Sequence, residues 1–252
     1  MTALRLEFFK TKRRGLWMIV GALILCEMAW LLWAFRNPDA EDLRLGWMLL
    51  LYNIPLLNGI IFPLIAAVLA SRLADLEHKS GSLKLLETVQ SPRALFTAKY
   101  LCGAAYVLAV NLIESAVLLG MGAFYGFEGP APLWAYGLYF LFGLVCGLEI
   151  LALQLSLSLC IKNQMVSLCI GCGGSFSGLL LMFLPQLPLL RALIPWGHIG
   201  ALMFVGLRDW NPETRIMNLY YMPIDWPVFA LAIGYLIIIF AIGRHAFARK
   251  EV

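Results

Sequence analysis

The chain has 252 residues, of which 62% are hydrophobic and only 13% charged, and its mean hydropathy is +0.83. A soluble domain of this length has too little interior to hide so much apolar surface, so composition excludes that class and makes lipid the solvent. The net charge of +4 gives no reason to expect nucleic-acid binding; where the charges fall along the chain says more than their sum.

The N-terminal tail sets Leu4, Phe8 and Phe9 at helical spacing, with Arg5, Lys10, Lys12, Arg13 and Arg14 between and after them. That pattern predicts a helix lying in the membrane interface over residues 1–15. About 20 apolar residues cross a hydrocarbon core, and the first such run is Leu16–Phe35. It contains Glu27 and is followed by Arg36-Asn37-Pro38-Asp39. It therefore lacks a small-residue cleavage site and is expected to stay in the mature protein. Five more runs follow at Leu49–Ser71, Tyr100–Phe124, Leu133–Ile161, Met165–Leu184 and Trp226–Gly243. They are continuous rather than alternating, so they predict helices and not a barrel. The expected fold is an all-α integral membrane protein with six transmembrane helices in a single domain, residues 1–252. Trp17, Trp30, Trp33, Trp47, Trp134 and Trp226 lie near span ends, as an aromatic belt requires.

Of the 19 basic residues, 14 fall on one side of these spans and five (Arg36, Arg44, Arg191, Arg208 and Arg215) on the other. The positive-inside bias places both termini in the cytoplasm. The loop 72–99 is then cytoplasmic and the segment 185–225 external. In the loop, Asp75 to Ser82 reads as an exit from the second span and a turn. Ser82 caps a short helix, Leu83 to Val89, with Leu83 and Leu86 on one side. Ser91-Pro92 is a second helix start leading into the third span. A short amphipathic helix on a cytoplasmic loop predicts a docking element for a soluble partner. The external segment carries two short apolar pieces, Leu189–Ile194 and His198–Leu207, too short to cross. They predict a pair of short helices that re-enter the membrane or lie at its outer face.

Three glutamates, Glu27, Glu114 and Glu149, fall at lipid depth, where a charge costs about 2.5 to 3.5 kcal/mol on insertion scales and marks a candidate functional site. Asn111 stands one turn before Glu114, and Gln154 follows Glu149. Two readings stand: the carboxylates face a shared cavity and attract a cationic substrate, or they are neutral and hydrogen-bonded between helices. Gly143-x-x-x-Gly147 and Gly174-x-x-x-Gly178 mark close helix packing, within the chain or between subunits. Cys26, Cys102, Cys146, Cys160, Cys169 and Cys172 fall inside or beside spans and read as small packing residues. His78, His198 and His245 sit in loops or tails without metal-ligand spacing, so no metal site is expected. No phosphate-binding loop, zinc-protease or nucleophile-elbow motif occurs.

The order of these parts resembles the permease subunit of type-2 ABC exporters over essentially the whole chain. Within that group, three stretches look like the lantibiotic-immunity permeases. They are Ala70-Ser71-Arg72-Leu73-Ala74-Asp75-Leu76-Glu77-His78-Lys79-Ser80-Gly81-Ser82-Leu83-Lys84-Leu85-Leu86-Glu87-Thr88, Ala98-Lys99-Tyr100-Leu101-Cys102-Gly103 and Leu51-Tyr52-Asn53-Ile54-Pro55-Leu56. The resemblance implies a permease of the bacterial plasma membrane that pairs with two separate ABC ATPase subunits and a second, different permease subunit. Such proteins expel cationic lanthionine peptides from the membrane to the outside. ATP and Mg would sit on the ATPases, leaving this chain without catalytic residues or cofactors of its own. Glu77, Ser82, Leu83, Leu86 and Thr88 would couple it to the ATPase. The competing readings are a type-2 exporter of another antibiotic or a lipid, and an ion-coupled secondary transporter. No internal repeat supports the second of these.

Overall fold

A left-handed turn at Gly15 (φ +60°), a conformation costly for any residue with a Cβ, joins the first two helices. The computed structural model that shows it describes residues 3–13, 15–80, 91–161, 163–184, 186–210 and 217–249. The first helix, α1, is Ala3–Arg13, and α2 is Leu16–Ala34. Next, Asp39 and Asp42 cap each other's backbone N–H groups, at 2.8 and 3.2 Å. This reciprocal cap opens α3, Ala40–Ser80. Ser91 accepts from the Ala94 N–H and Pro92 occupies the first turn of α4, Pro92–Tyr125, so the expected helix start is found. Helix α5 is Leu133–Cys160; α6, Gln164–Met182, is capped by Asn163, and α9, Trp226–Ala248, by Asp225. Six helices of the described residues are long and apolar enough to cross a membrane: α2, α3 over Ala40–Asp75, α4, α5, α6 and α9.

Helices α3, α4 and α9 outrun the spans read from hydropathy, α3 the furthest. α3 has 41 residues, about 60 Å at 1.5 Å per residue, roughly twice the hydrocarbon thickness. Helical backbone therefore continues through 75–80, where a turn is expected from the sequence. Hydropathy marks only the lipid-immersed part of a helix, and the charged extension is invisible to it. Glu77 lies in the last turn of α3. Ser82, Leu83, Leu86 and Thr88, the expected coupling helix, lie outside the described residues.

The segment between α6 and α9 departs further from expectation. Its first piece is the short helix α7, Pro188–Leu193, followed by a 3-10 turn at Pro195–Gly197. Its second piece is not one helix over His198–Leu207. Helix α8 ends at Ala201, and a strand, β1, runs from Val205 to Trp210. It pairs antiparallel with β2, Met217–Tyr221, matching Val205 to Tyr221 and Leu207 to Leu219, with a bulge at Arg208. The protein is mostly helical, as expected, and this hairpin is a local departure from that pattern. Its aromatic and β-branched residues fit a half-buried pleated ribbon. Tyr221 stacks on Phe204 and lies 4.9 Å from Trp134, while the Arg208 guanidinium sits over the Tyr220 ring.

Helix α5 packs against α3, α4 and α9 at the centre of the molecule. The main apolar core runs through Leu31, Leu50, Ile54, Leu69, Leu118, Ile150 and Leu151. A smaller one, around Leu73, Phe96, Leu155 and Phe247, holds the end of the bundle where α3 finishes and α4 begins.

Candidate functional site

The polar side chains at lipid depth do not scatter. They form two buried clusters toward the side of the α7–α8 segment and a third at the opposite end.

The first cluster joins α3, α4 and α5. The Asn58 amide donates to Glu114 Oε1 at 2.7 Å and to the Tyr139 hydroxyl oxygen at 2.6 Å, and the Tyr139 hydroxyl donates to the same Glu114 oxygen. All three residues are buried. Glu27, from α2, is 2% exposed and lies within electrostatic range of Glu114 and Tyr139. Both Glu27 oxygens, Glu114 Oε2 and Asn58 Oδ1 have no hydrogen-bond partner among the described residues. Oxygen acceptors left bare at such depth are costly, and they make the cluster a ready acceptor for a cationic donor. Asn58 and Tyr139 also line a cavity of about 30 Å³, room for a water or two. Its other walls are apolar, including Phe142 of α5 and Ile199, Leu202 and Phe204 beneath the hairpin.

The second cluster joins α5 to the α7–α8 segment. Glu149 Oε2 lies 2.8 Å from His198 Nδ1, and His198 Nε2 lies 2.7 Å from the Ala192 carbonyl. A carbonyl only accepts, so Nε2 carries a proton. The Glu149–Nδ1 bond then needs a second proton, held by one partner or the other. Imidazolium with carboxylate, or imidazole with carboxylic acid, the pair is neutral overall. Both residues are fully buried. Burial opposes the protonated ring, but the Glu149 hydrogen bond and charge and the Ala192 carbonyl outweigh it, so His198 is held above the usual 6.5. The reading of His198 as a loop residue is thus corrected: it lies in α8 and fastens the α7–α8 segment to the middle of α5. Tyr235 of α9 stands edge-on to its ring and donates to the Leu193 carbonyl.

Among the described residues Glu114 and Glu149 therefore share no partner, and the helpers named beside them bond to neither; both amide atoms of Gln154 have no hydrogen-bond partner there. Asn111 donates to the Val107 carbonyl within its own helix. Gln154 packs against Gly171 of α6. Gly143 and Gly147 lie where α5 meets α4 and α3. A Cβ at Gly143 would come within 2.7 Å of Asn111 Oδ1, and one at Gly147 within 2.8 Å of Val107 Cγ1. Gly174 and Gly178 serve a different contact: they seat the Trp196 ring and backbone, which belong to the 3-10 turn and not to a span. The six cysteines are free, and no group of three or more His, Cys, Asp or Glu able to hold a metal occurs among the described residues.

The third cluster lies at the other end. Lys99, fully buried, donates to Glu7 Oε2 at 3.0 Å and to the Leu73 carbonyl at 2.7 Å; Lys10 holds the other Glu7 oxygen at 2.7 Å. It ties α1 to the two helices that flank the 81–90 loop. Sequence reasoning missed Asn58, Tyr139, His198, Glu7 and Lys99. The signal for Asn58 was available, since an amide inside an apolar run needs a partner. His198 and Lys99 find theirs 49 and 92 residues away.

A family model described as ABC-2 family transporter protein matches residues 3–178. A comparison with curated proteins found no match.

Proposed function

The chain belongs to the ABC-2 family of transporter proteins, and on that premise we propose that it is the permease of an ATP-driven exporter of cationic antimicrobial peptides of the lantibiotic kind. It is the transmembrane component of an ABC transporter, a multi-pass protein of the cell membrane, and its family implies ABC ATPase subunits as partners. The cargo rests on one observation, the set of bare oxygens on Glu27, Glu114 and Asn58 next to a small cavity with apolar walls. An amphipathic peptide with lysine side chains supplies both missing elements, N–H donors for the oxygens and aliphatic surface for the walls. ATP closure on the partner subunits, taken up by the 72–99 loop, would tilt the spans and open this region outward. Both termini then lie in the cytoplasm, and a second permease subunit, different from this one, completes the pore. ATP and Mg stay on the ATPases, and this chain carries out no catalysis.

The test is purification with the ATPase subunits in mild detergent and measurement of ATP hydrolysis with and without a cationic lanthionine peptide. Peptide should stimulate hydrolysis, and Glu114→Gln, which keeps shape but removes charge, should lose most of that stimulation while basal hydrolysis stays. No stimulation by peptide, or equal stimulation in Glu114→Gln, overturns the reading. Stimulation by an uncharged antibiotic or a lipid instead would assign the cargo to that class.

A further inference from the structure

The bundle end that carries the basic tails has a groove that the transport reading does not use. It is lined by Arg93 at the start of α4 and by Ile237, Phe240, Ala241, Arg244 and His245 along the last three turns of α9, and encloses about 380 Å³. Arg93, Arg244 and His245 are exposed, and none has an ion-pair partner among the described residues. Two guanidiniums left facing one space repel each other unless an anion joins them, and Arg93 adds to a helix end that is already positive. Below these groups the same face of α9 is apolar: Ile237 and Ala241 stand one helical turn apart, above the exposed Ile233. α9 is the least buried of the six spans.

We propose that this groove is a binding site for an anionic phospholipid. The phosphate sits between Arg93 and Arg244, with His245 as a further donor, and one acyl chain lies along Ala241, Ile237 and Ile233. The chemistry matches on both counts. Arg presents a planar fork that grips phosphate oxygens two at a time, and an aliphatic strip directly beneath a cationic rim has the polarity of a lipid from head to tail. Basic pockets between spans at the cytoplasmic side bind anionic head groups for the same reason. A free phosphate would use the rim alone and leave the strip without purpose.

The experiment uses the permease purified with its ATPases and reconstituted into nanodiscs of phosphatidylcholine with or without phosphatidylglycerol. Bound lipid is counted by native mass spectrometry after extraction. The wild type should retain phosphatidylglycerol in preference to phosphatidylcholine. Arg93→Gln with Arg244→Gln should lower that retention roughly thirty-fold, at about tenfold per 1.4 kcal/mol and about 1 kcal/mol per basic residue. Arg36→Gln with Arg208→Gln, two exposed arginines away from the groove, should leave it unchanged and controls for loss of the same two charges. Equal retention in the double variant overturns the proposal. So does displacement of the lipid by millimolar inorganic phosphate, which would make this a phosphate site. If the second permease covers the groove, the double variant will lower recovery of the permease pair and leave lipid retention unaltered, and the proposal again fails.

Discussion

Replacing His198 by Leu leaves Glu149, fully buried, without the donor to its Oε2; its Oε1 already lacks one. Breaking a buried charged pair from one side costs about 3–5 kcal/mol, because the remaining group keeps its desolvation penalty and loses its compensation. Glu149→Leu is milder: a neutral His198 keeps its bond to the Ala192 carbonyl, so only Nδ1 is orphaned, at about 1–3 kcal/mol. The double variant removes both members of the pair but leaves the Ala192 carbonyl without its donor, so it should stay about 1–3 kcal/mol below wild type. The cycle therefore predicts a favourable coupling of about 4 kcal/mol. At about 2–4 °C per kcal/mol for a chain of this length, His198→Leu should melt about 6–20 °C below wild type and the double variant well above that single variant. Thermal unfolding of the purified protein, followed by tryptophan fluorescence at one fixed scan rate, reads all four corners. If the two losses simply add, within about 0.5 kcal/mol, the pair does not hold the outer segment and the reasoning fails.

The same pair sets a pH dependence. Because His198 is held above 6.5 in the folded protein, its contribution is complete below about pH 6.5 and fades as pH rises through the folded value. Melting temperature should fall on the alkaline side in the wild type and stay flatter in the double Leu variant, and equal slopes refute it. In α6, a methyl group added at Gly173 would meet nothing within 4 Å, whereas Gly174 and Gly178 abut Trp196. Gly173→Ala should thus be neutral or stabilise by up to about 1 kcal/mol, and Gly174→Ala should destabilise and raise the proteolytic sensitivity of the outer segment. Equal behaviour would show that Trp196 is not anchored there. Leu83→Asp with Leu86→Asp should abolish peptide resistance while membrane levels stay normal on immunoblot; full resistance would remove the docking role of the 81–90 loop.

The spans were legible in the sequence because lipid imposes a length and an unbroken apolar run, and both are local properties. The Ser91-Pro92 start of α4 was legible for the same reason, since a cap is a contact between neighbours. What stayed hidden is held together at long range. Asn58, Glu114 and Tyr139 meet across separations of 25 to 81 residues, and nothing in the spacing of any one of them names the others. Gly174 and Gly178 displayed the right pattern for close approach, but a pattern of small residues specifies a hollow and not its occupant, which here is Trp196. The hairpin escaped because Val205–Trp210 follows directly on an apolar helical stretch, so hydropathy runs across the boundary without a break.

The way α3 is built has a mechanical consequence. Its helical backbone holds two internal prolines, Pro55 and Pro63, each of which removes a backbone hydrogen bond and makes a place where a long helix bends. One end of α3 leads into the 81–90 loop and the other reaches Trp47, whose indole donates to the Gly129 carbonyl and whose ring meets Phe127 and Tyr136 edge-on. Asn58 rides between them. On the proposed reading, an angular stroke from the ATPases therefore turns α3 about the stretch between its two prolines, and the Asn58–Glu114–Tyr139 knot, which joins that stretch to α4 and α5, is the joint that must yield.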